Sequence, residues 1–153
     1  MLIYIGADHR GFKLKESLKS YLRNAGYEVV DVGNSVYDKN DDYPDFAKLV
    51  AEKVQEDPNE RRGVVICGSG VGVSVAANKF ERIRVALVIS PDQAAASKSD
   101  EDTNVISFAA DYIDEEDAKK ILSVWLAAKF SGADRHVRRL GKIAEIEKGN
   151  RQG

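Results

Sequence analysis

Five short apolar runs alternate with amphipathic stretches along this chain. The runs cover residues 2–7 (Leu-Ile-Tyr-Ile-Gly-Ala), 27–32, 63–67, 84–89 and 104–109. Each has the length and β-branched content of a strand and is bounded by polar or turn-forming residues. Between the first two runs, Leu14, Leu18, Tyr21, Leu22 and Ala25 recur at helical spacing, and Gly26 follows as a stop. Pro44 suits the first turn of a second helix that runs to about Gln55. A third helix opens inside the glycine-rich turn after residue 67, and Ser90 with Pro91 marks the cap and start of a fourth. Residues 114–130 have acids in their first turn and an apolar face of Ala118, Ile121, Leu122 and Trp125. A last helix is expected over about 134–148, and the tail from Lys148 to Gly153 is expected to fray.

Strands alternating with helices predict an α/β fold: a doubly wound, five-stranded parallel sheet of Rossmann-like type with helices on both faces, in three α/β/α layers. At 153 residues, one domain over 1–150 accounts for the chain. In such folds, ligands sit beyond the carboxyl ends of the strands, where the strand order reverses. Asp8 and His9 follow the first strand and Cys67 ends the third, whereas residues 99–104 (Ser-Asp-Glu-Asp-Thr-Asn) read as a turn leading into the fifth.

Composition narrows the function. A formal net charge of -2 argues against a general nucleic-acid or anionic-membrane surface. One cysteine excludes an internal disulfide and fits a reducing, cytoplasmic setting; one Cys and two His are too few for a typical Cys/His zinc site. The N-terminus lacks a basic region and reaches Asp8 too soon for a signal peptide, and no run has the length of a membrane span.

The lone cysteine opens the stretch Cys67-Gly68-Ser69-Gly70-Val71-Gly72. This is neither a dinucleotide fingerprint nor a P-loop, which would end in Gly-Lys-Ser/Thr. It offers successive backbone N–H groups at a helix start, suited to an anion or a developing oxyanion. A cysteine there is favoured as thiolate and is suited to act as base or nucleophile, but free cysteine is also among the most buried residue types. The residues alone leave both readings open.

Taken in order, Asp8-His9, Tyr43-Pro44-Asp45, Cys67 through Lys79, Asp102-Thr103-Asn104-Val105 and Arg135 through Arg139 give the chain a resemblance, over about residues 2–148, to the type B ribose-5-phosphate isomerase family. That family also includes galactose-6-phosphate isomerase subunits. The resemblance implies an aldose–ketose isomerisation through a cis-enediol, without metal or organic cofactor, on a sugar phosphate such as ribose 5-phosphate in the pentose phosphate pathway. It also implies a homodimer, with a tetramer as the alternative, whose site draws on both subunits and whose last helix packs at the interface. Cys67 matches the family's proton-transferring cysteine, while the glutamate of the family's other branch is replaced by Val73. Ser69 matches a hydroxyl that bonds the sugar. Gly68, Gly70, Val71 and Gly72 supply N–H groups to the enediolate, and Asp8, His9 and Tyr43 match pocket residues. Arg135 and Arg139, four apart on one helix face, match phosphate-binding arginines.

Three positions depart from the pattern, all toward acids. Asp100 stands where the family has its ring-opening histidine, Glu101 where it has a ligand-contacting asparagine, and Asp111 where it has a further phosphate-binding arginine. Carboxylates near a phosphate dianion disfavour it, and Arg135, Arg139, Arg10, Lys98 and His9 are the cations available to offset them. Asp100 is the candidate replacement acid/base. The alternatives are an isomerase of a tetrose or hexose phosphate, which need not open a pentose ring, and a non-catalytic sugar-phosphate binding protein.

Overall fold

The computed structural model of the protein describes residues 1–152. Five strands, β1 (Leu2–Ala7), β2 (Glu28–Asp31), β3 (Arg61–Cys67), β4 (Val85–Leu87) and β5 (Val105–Ala109), form one sheet in the order β2-β1-β3-β5-β4, with every pair parallel. The chain steps from β1 outward to β2, then returns across β1 to place β3 on its other side. The strand order therefore reverses between β1 and β3, and a crevice opens at their carboxyl ends.

Helices α1 (Phe12–Asn24), α2 (Tyr43–Gln55), α3 (Val71–Ala77), α4 (Pro91–Glu101) and α5 (Glu115–Ala127) cover the sheet. Strand periodicity sorts the core between its two faces. Ile3, Ile5, Val64, Ile66, Ile106 and Phe108 pack beneath α1 and α5. Tyr4, Val65, Cys67 and Val105 pack beneath α2 and α3. The apolar face expected for α5 is in place, with Ala118, Ile121, Leu122 and Trp125 at most 2% exposed. Ser90 Oγ accepts the N–H of Gln93 as the expected cap of α4, and Gly26 takes the left-handed φ of +91° that ends α1.

Three features go beyond what the sequence spacing predicts. Residues 99–101 complete the last turn of α4, and the left-handed Asp102 then ends it. Lys15, a charged residue on α1, is fully buried, because Asp31 and the Asn34 carbonyl receive its ammonium at 2.6–3.1 Å. The last helix, α6 (Asp134–Gln152), continues through most of the tail expected to fray; Gly153 lies outside the described residues. No described helix is long and apolar enough to cross a membrane.

Candidate active site

At the reversal point, the carboxyl ends of β1, β3 and β5 converge. The N–H of Asp8 donates to the Ile66 carbonyl, and the N–H groups of Ala110 and Asp111 donate to the carbonyls of Cys67 and Gly68 at 2.9 Å. Three loops are thus fastened to one another around an open cleft of about 530 Å³. Asp8, Tyr43, Cys67, Gly68, Ser69, Val71 and Gly72, all expected site residues, line it; so do Arg10, Val75, Asp111 and Tyr112.

Cys67 is the last residue of β3 and only 4% exposed, yet it contributes to the cleft wall. The turn that follows is rigid for identifiable reasons. Gly70 has a φ of +72°, a conformation that a side chain disfavours. Its carbonyl accepts the hydroxyls of Ser74 at 2.6 Å and Ser107 at 2.8 Å. Ser69 is exposed, and its Oγ accepts the Val71 N–H at 3.3 Å. The Tyr43 ring lies against Gly72, 2.7 Å from where a Cβ would stand, and so forms one wall. An anion or developing oxyanion in this turn would meet N–H groups already held in place.

Asp8 is buried at the end of β1, and its Oδ1 accepts the N–H groups of Arg10 and Gly11 at 3.0 and 3.1 Å. Burial pushes its carboxyl above the ordinary range, against the opposing pull of those backbone bonds and His9. His9 does not line the cleft wall but stands beside Asp8. Its Nδ1 donates to Asp41 Oδ1 at 2.8 Å, and its backbone N–H donates to the same oxygen at 2.9 Å. Asn34 holds the other oxygen of Asp41 at 3.0 Å, and Tyr37 meets the imidazole edge-on. This arrangement fixes the tautomer and, among the described residues, leaves Nε2 of His9 free.

The remaining candidates are elsewhere in the same chain. Asp100 and Glu101 end α4, at the amino end of β5; Cys67 lies at the carboxyl end of β3. Gly63 to Cys67 alone spans roughly 13 Å of strand, so the two groups lie at opposite ends of the strands. Asp100 instead stands 3.6 Å from Nε2 of His136, whose Nδ1 bonds Ser131 Oγ at 2.6 Å. Arg135 and Arg139, on α6 with that histidine, are exposed. Within a single chain both arginines stand away from Cys67, because α6 begins beside the end of α4. Lys98 is likewise remote from the cleft: it is buried and donates to Asp102 and the Thr103 carbonyl.

Asp41, Asn34, Ser107 and Arg10 are site residues that the sequence did not single out as such. Asp41 and Asn34 lay in a polar stretch with no motif, and Ser107 sits inside a strand whose partners only the topology supplies.

A family model described as ribose/galactose isomerase matches residues 3–143. A Mycoplasma genitalium protein named probable ribose-5-phosphate isomerase B is 41% identical over 146 residues, covering 95% of each chain. Escherichia coli ribose-5-phosphate isomerase B is 40% identical over 145 residues, again covering 95% of each. Among solved structures, ribose-5-phosphate isomerase B of M. genitalium with bound ribulose-5-phosphate has a TM-score of 0.93 at 41% identity, covering 96% of each chain. The Clostridium thermocellum ribose-5-phosphate isomerase B structure has the same TM-score and identity, covering 98% of this chain and 99% of that one.

Proposed function

The chain belongs to the ribose/galactose isomerase family, and from that premise we propose that it interconverts ribose 5-phosphate and ribulose 5-phosphate. The observation that carries this reading is Cys67 at the reversal point, opening a turn whose Gly70 carbonyl is held by the Ser74 and Ser107 hydroxyls. The Cys67 thiolate removes the proton from C2 of the open-chain aldose, and the electron pair moves onto the C1 oxygen to give a cis-enediolate. The N–H groups of residues 68–72 stabilise that oxygen; the proton of the C2 hydroxyl then passes to the C1 oxygen, and as the C2 oxygen forms the carbonyl the thiol returns its proton to C1 to give the ketose. Ser69 hydrogen-bonds the sugar oxygens, with Asp8, His9 and Tyr43 shaping the pocket. A buried free thiol of this kind suits a reducing, cytoplasmic compartment.

The protein works as a homodimer on this reading. Between Asp134 and Arg151, α6 buries only His136 and leaves Val137, Ile143 and Ile146 exposed. A helix so little covered by its own chain gains its stability from packing elsewhere, and a second copy supplies that packing. The pairing brings the α4–α6 edge of one copy, with Asp100, Glu101, Arg135 and Arg139, to the cleft of the other. The arginines then take the phosphate, and Asp100 takes the ring-opening position.

The acids at 100, 101 and 111 favour one second reading, a different phosphorylated sugar as substrate. Turnover of ribose 5-phosphate, a tetrose phosphate and a hexose 6-phosphate by the purified protein separates the two. The highest kcat/KM on ribose 5-phosphate is expected, and a preference for either of the others overturns the pentose assignment.

A further inference from the structure

Within one chain the cleft is short of positive charge. Of the residues that line it, Asp8 and Asp111 carry carboxyls and Arg10 alone is a cation. Arg10 and Asp111 meet across the mouth: Nη2 of Arg10 donates to Oδ2 of Asp111. The two side chains arch over Gly68, each 2.7 Å from where a Cβ on that glycine would stand. Both are anchored at the backbone, Arg10 through its N–H to Asp8 Oδ1 and Asp111 through its N–H to the Gly68 carbonyl. The Arg10 side chain is 59% exposed and that of Asp111 35%, so their pair is solvated and weakly held. Among the described residues, Asp111 is the only acceptor for the guanidinium, which leaves the rest of its donor fork free.

We propose that Arg10 is a further substrate-binding residue, which meets the phosphate of the sugar phosphate at the cleft mouth alongside the two arginines that a second copy brings there, with Asp111 as the positioning residue that holds the guanidinium over Gly68. A guanidinium fork matches phosphate oxygens in bidentate geometry. A phosphate dianion entering beside two carboxyl groups requires a cation on the same wall. Arg10 sits in the first loop and Asp111 in the last, so the pair also ties the two sides of the substrate entrance together. This assignment rests on the proposed isomerase function for its substrate, whereas the phosphate-binding measurement below is independent of it.

The test measures steady-state kinetics on ribose 5-phosphate and calorimetric binding of inorganic phosphate, for the wild type and Arg10→Ala, Arg10→Lys, Asp111→Ala and the Arg10→Ala/Asp111→Ala double variant. Arg10→Ala is expected to raise KM about tenfold or more with kcat within about threefold, and to weaken phosphate binding in parallel. Arg10→Lys recovers part of that loss. Asp111→Ala alone is expected to raise KM by a smaller factor, because the guanidinium loses its hold, and to add no loss on top of Arg10→Ala; an unchanged KM in Asp111→Ala, or losses that add in the double variant, would overturn the positioning role. An Arg10→Ala variant with unchanged KM and phosphate affinity overturns the proposal, while wild-type turnover leaves the isomerase function standing. If the wild type turns over no ribose 5-phosphate, the substrate assignment fails, and phosphate binding alone decides for or against Arg10.

Discussion

His9 and Asp41, 32 residues apart in sequence, are joined twice: one carboxylate oxygen receives both the backbone N–H and the Nδ1–H of the histidine, at 2.9 and 2.8 Å. A carboxylate that fixes both the peptide and the ring decides which imidazole nitrogen is left for a ligand. Asp41→Ala is therefore expected to lower kcat/KM about tenfold while leaving the fold intact, because His9 loses its tautomer and its aim. Steady-state kinetics beside a thermal melt checks this; a loss of stability with unchanged kcat/KM would show that the pair only holds the loop.

Gly70→Ala tests the rigidity of the glycine turn. At a φ of +72°, the new Cβ is strained and would stand 2.5 Å from the Leu87 side chain and 3.1 Å from the Ala109 nitrogen. A cost of about 1–3 kcal/mol in unfolding free energy is expected. A fall in kcat of about a hundredfold accompanies it as the N–H groups turn away from the developing oxyanion.

Asp31 connects the fold to pH. Burial alone would raise its carboxyl, but hydrogen bonds from Lys19, Lys15 and the Gly33 N–H outweigh burial and hold it below its ordinary value of 3.8. A depressed carboxyl contributes stability that is present above the unfolded value and is lost as pH falls through the folded one. Unfolding measured from pH 7 down to pH 2 should therefore show an acid limb below about pH 4. Asp31→Asn should flatten that limb and cost about 3–5 kcal/mol at neutral pH, since the fully buried Lys15 ammonium loses its counter-charge.

Mixing two inactive variants tests the shared site. Cys67→Ala leaves the arginines intact, and Arg135→Ala/Arg139→Ala leaves the cysteine intact. In a random mixture of dimers, half are mixed, and one of the two sites in each is whole. Refolding the two variants together at equal amounts should restore about a quarter of wild-type activity. No recovery, with dimers present by light scattering, would mean that each chain completes its own site.

The sequence made the sheet and half of the site legible for one physical reason. Asp8 and Cys67 each end an apolar run, and in a doubly wound sheet the carboxyl ends of strands are where ligands bind. The rest depended on distances the sequence does not carry. Asp41 reaches His9 across 32 residues, and Ser107 reaches Gly70 across 37. Lys15 reads as a surface helix residue until Asp31 and Asn34 close over it. Arg135 and Arg139 have the right spacing on α6, but the path of α6 along the amino edge of the sheet takes them away from the cysteine of their own chain.

The most direct measurement is conversion of ribose 5-phosphate to ribulose 5-phosphate, followed by ketose absorbance, for the wild type and Cys67→Ala. Wild-type turnover and a loss of about a hundredfold or more in the folded Cys67→Ala variant are expected of a proton-transferring base. Equal turnover in the two proteins would contradict the assignment of Cys67 and return it to the core.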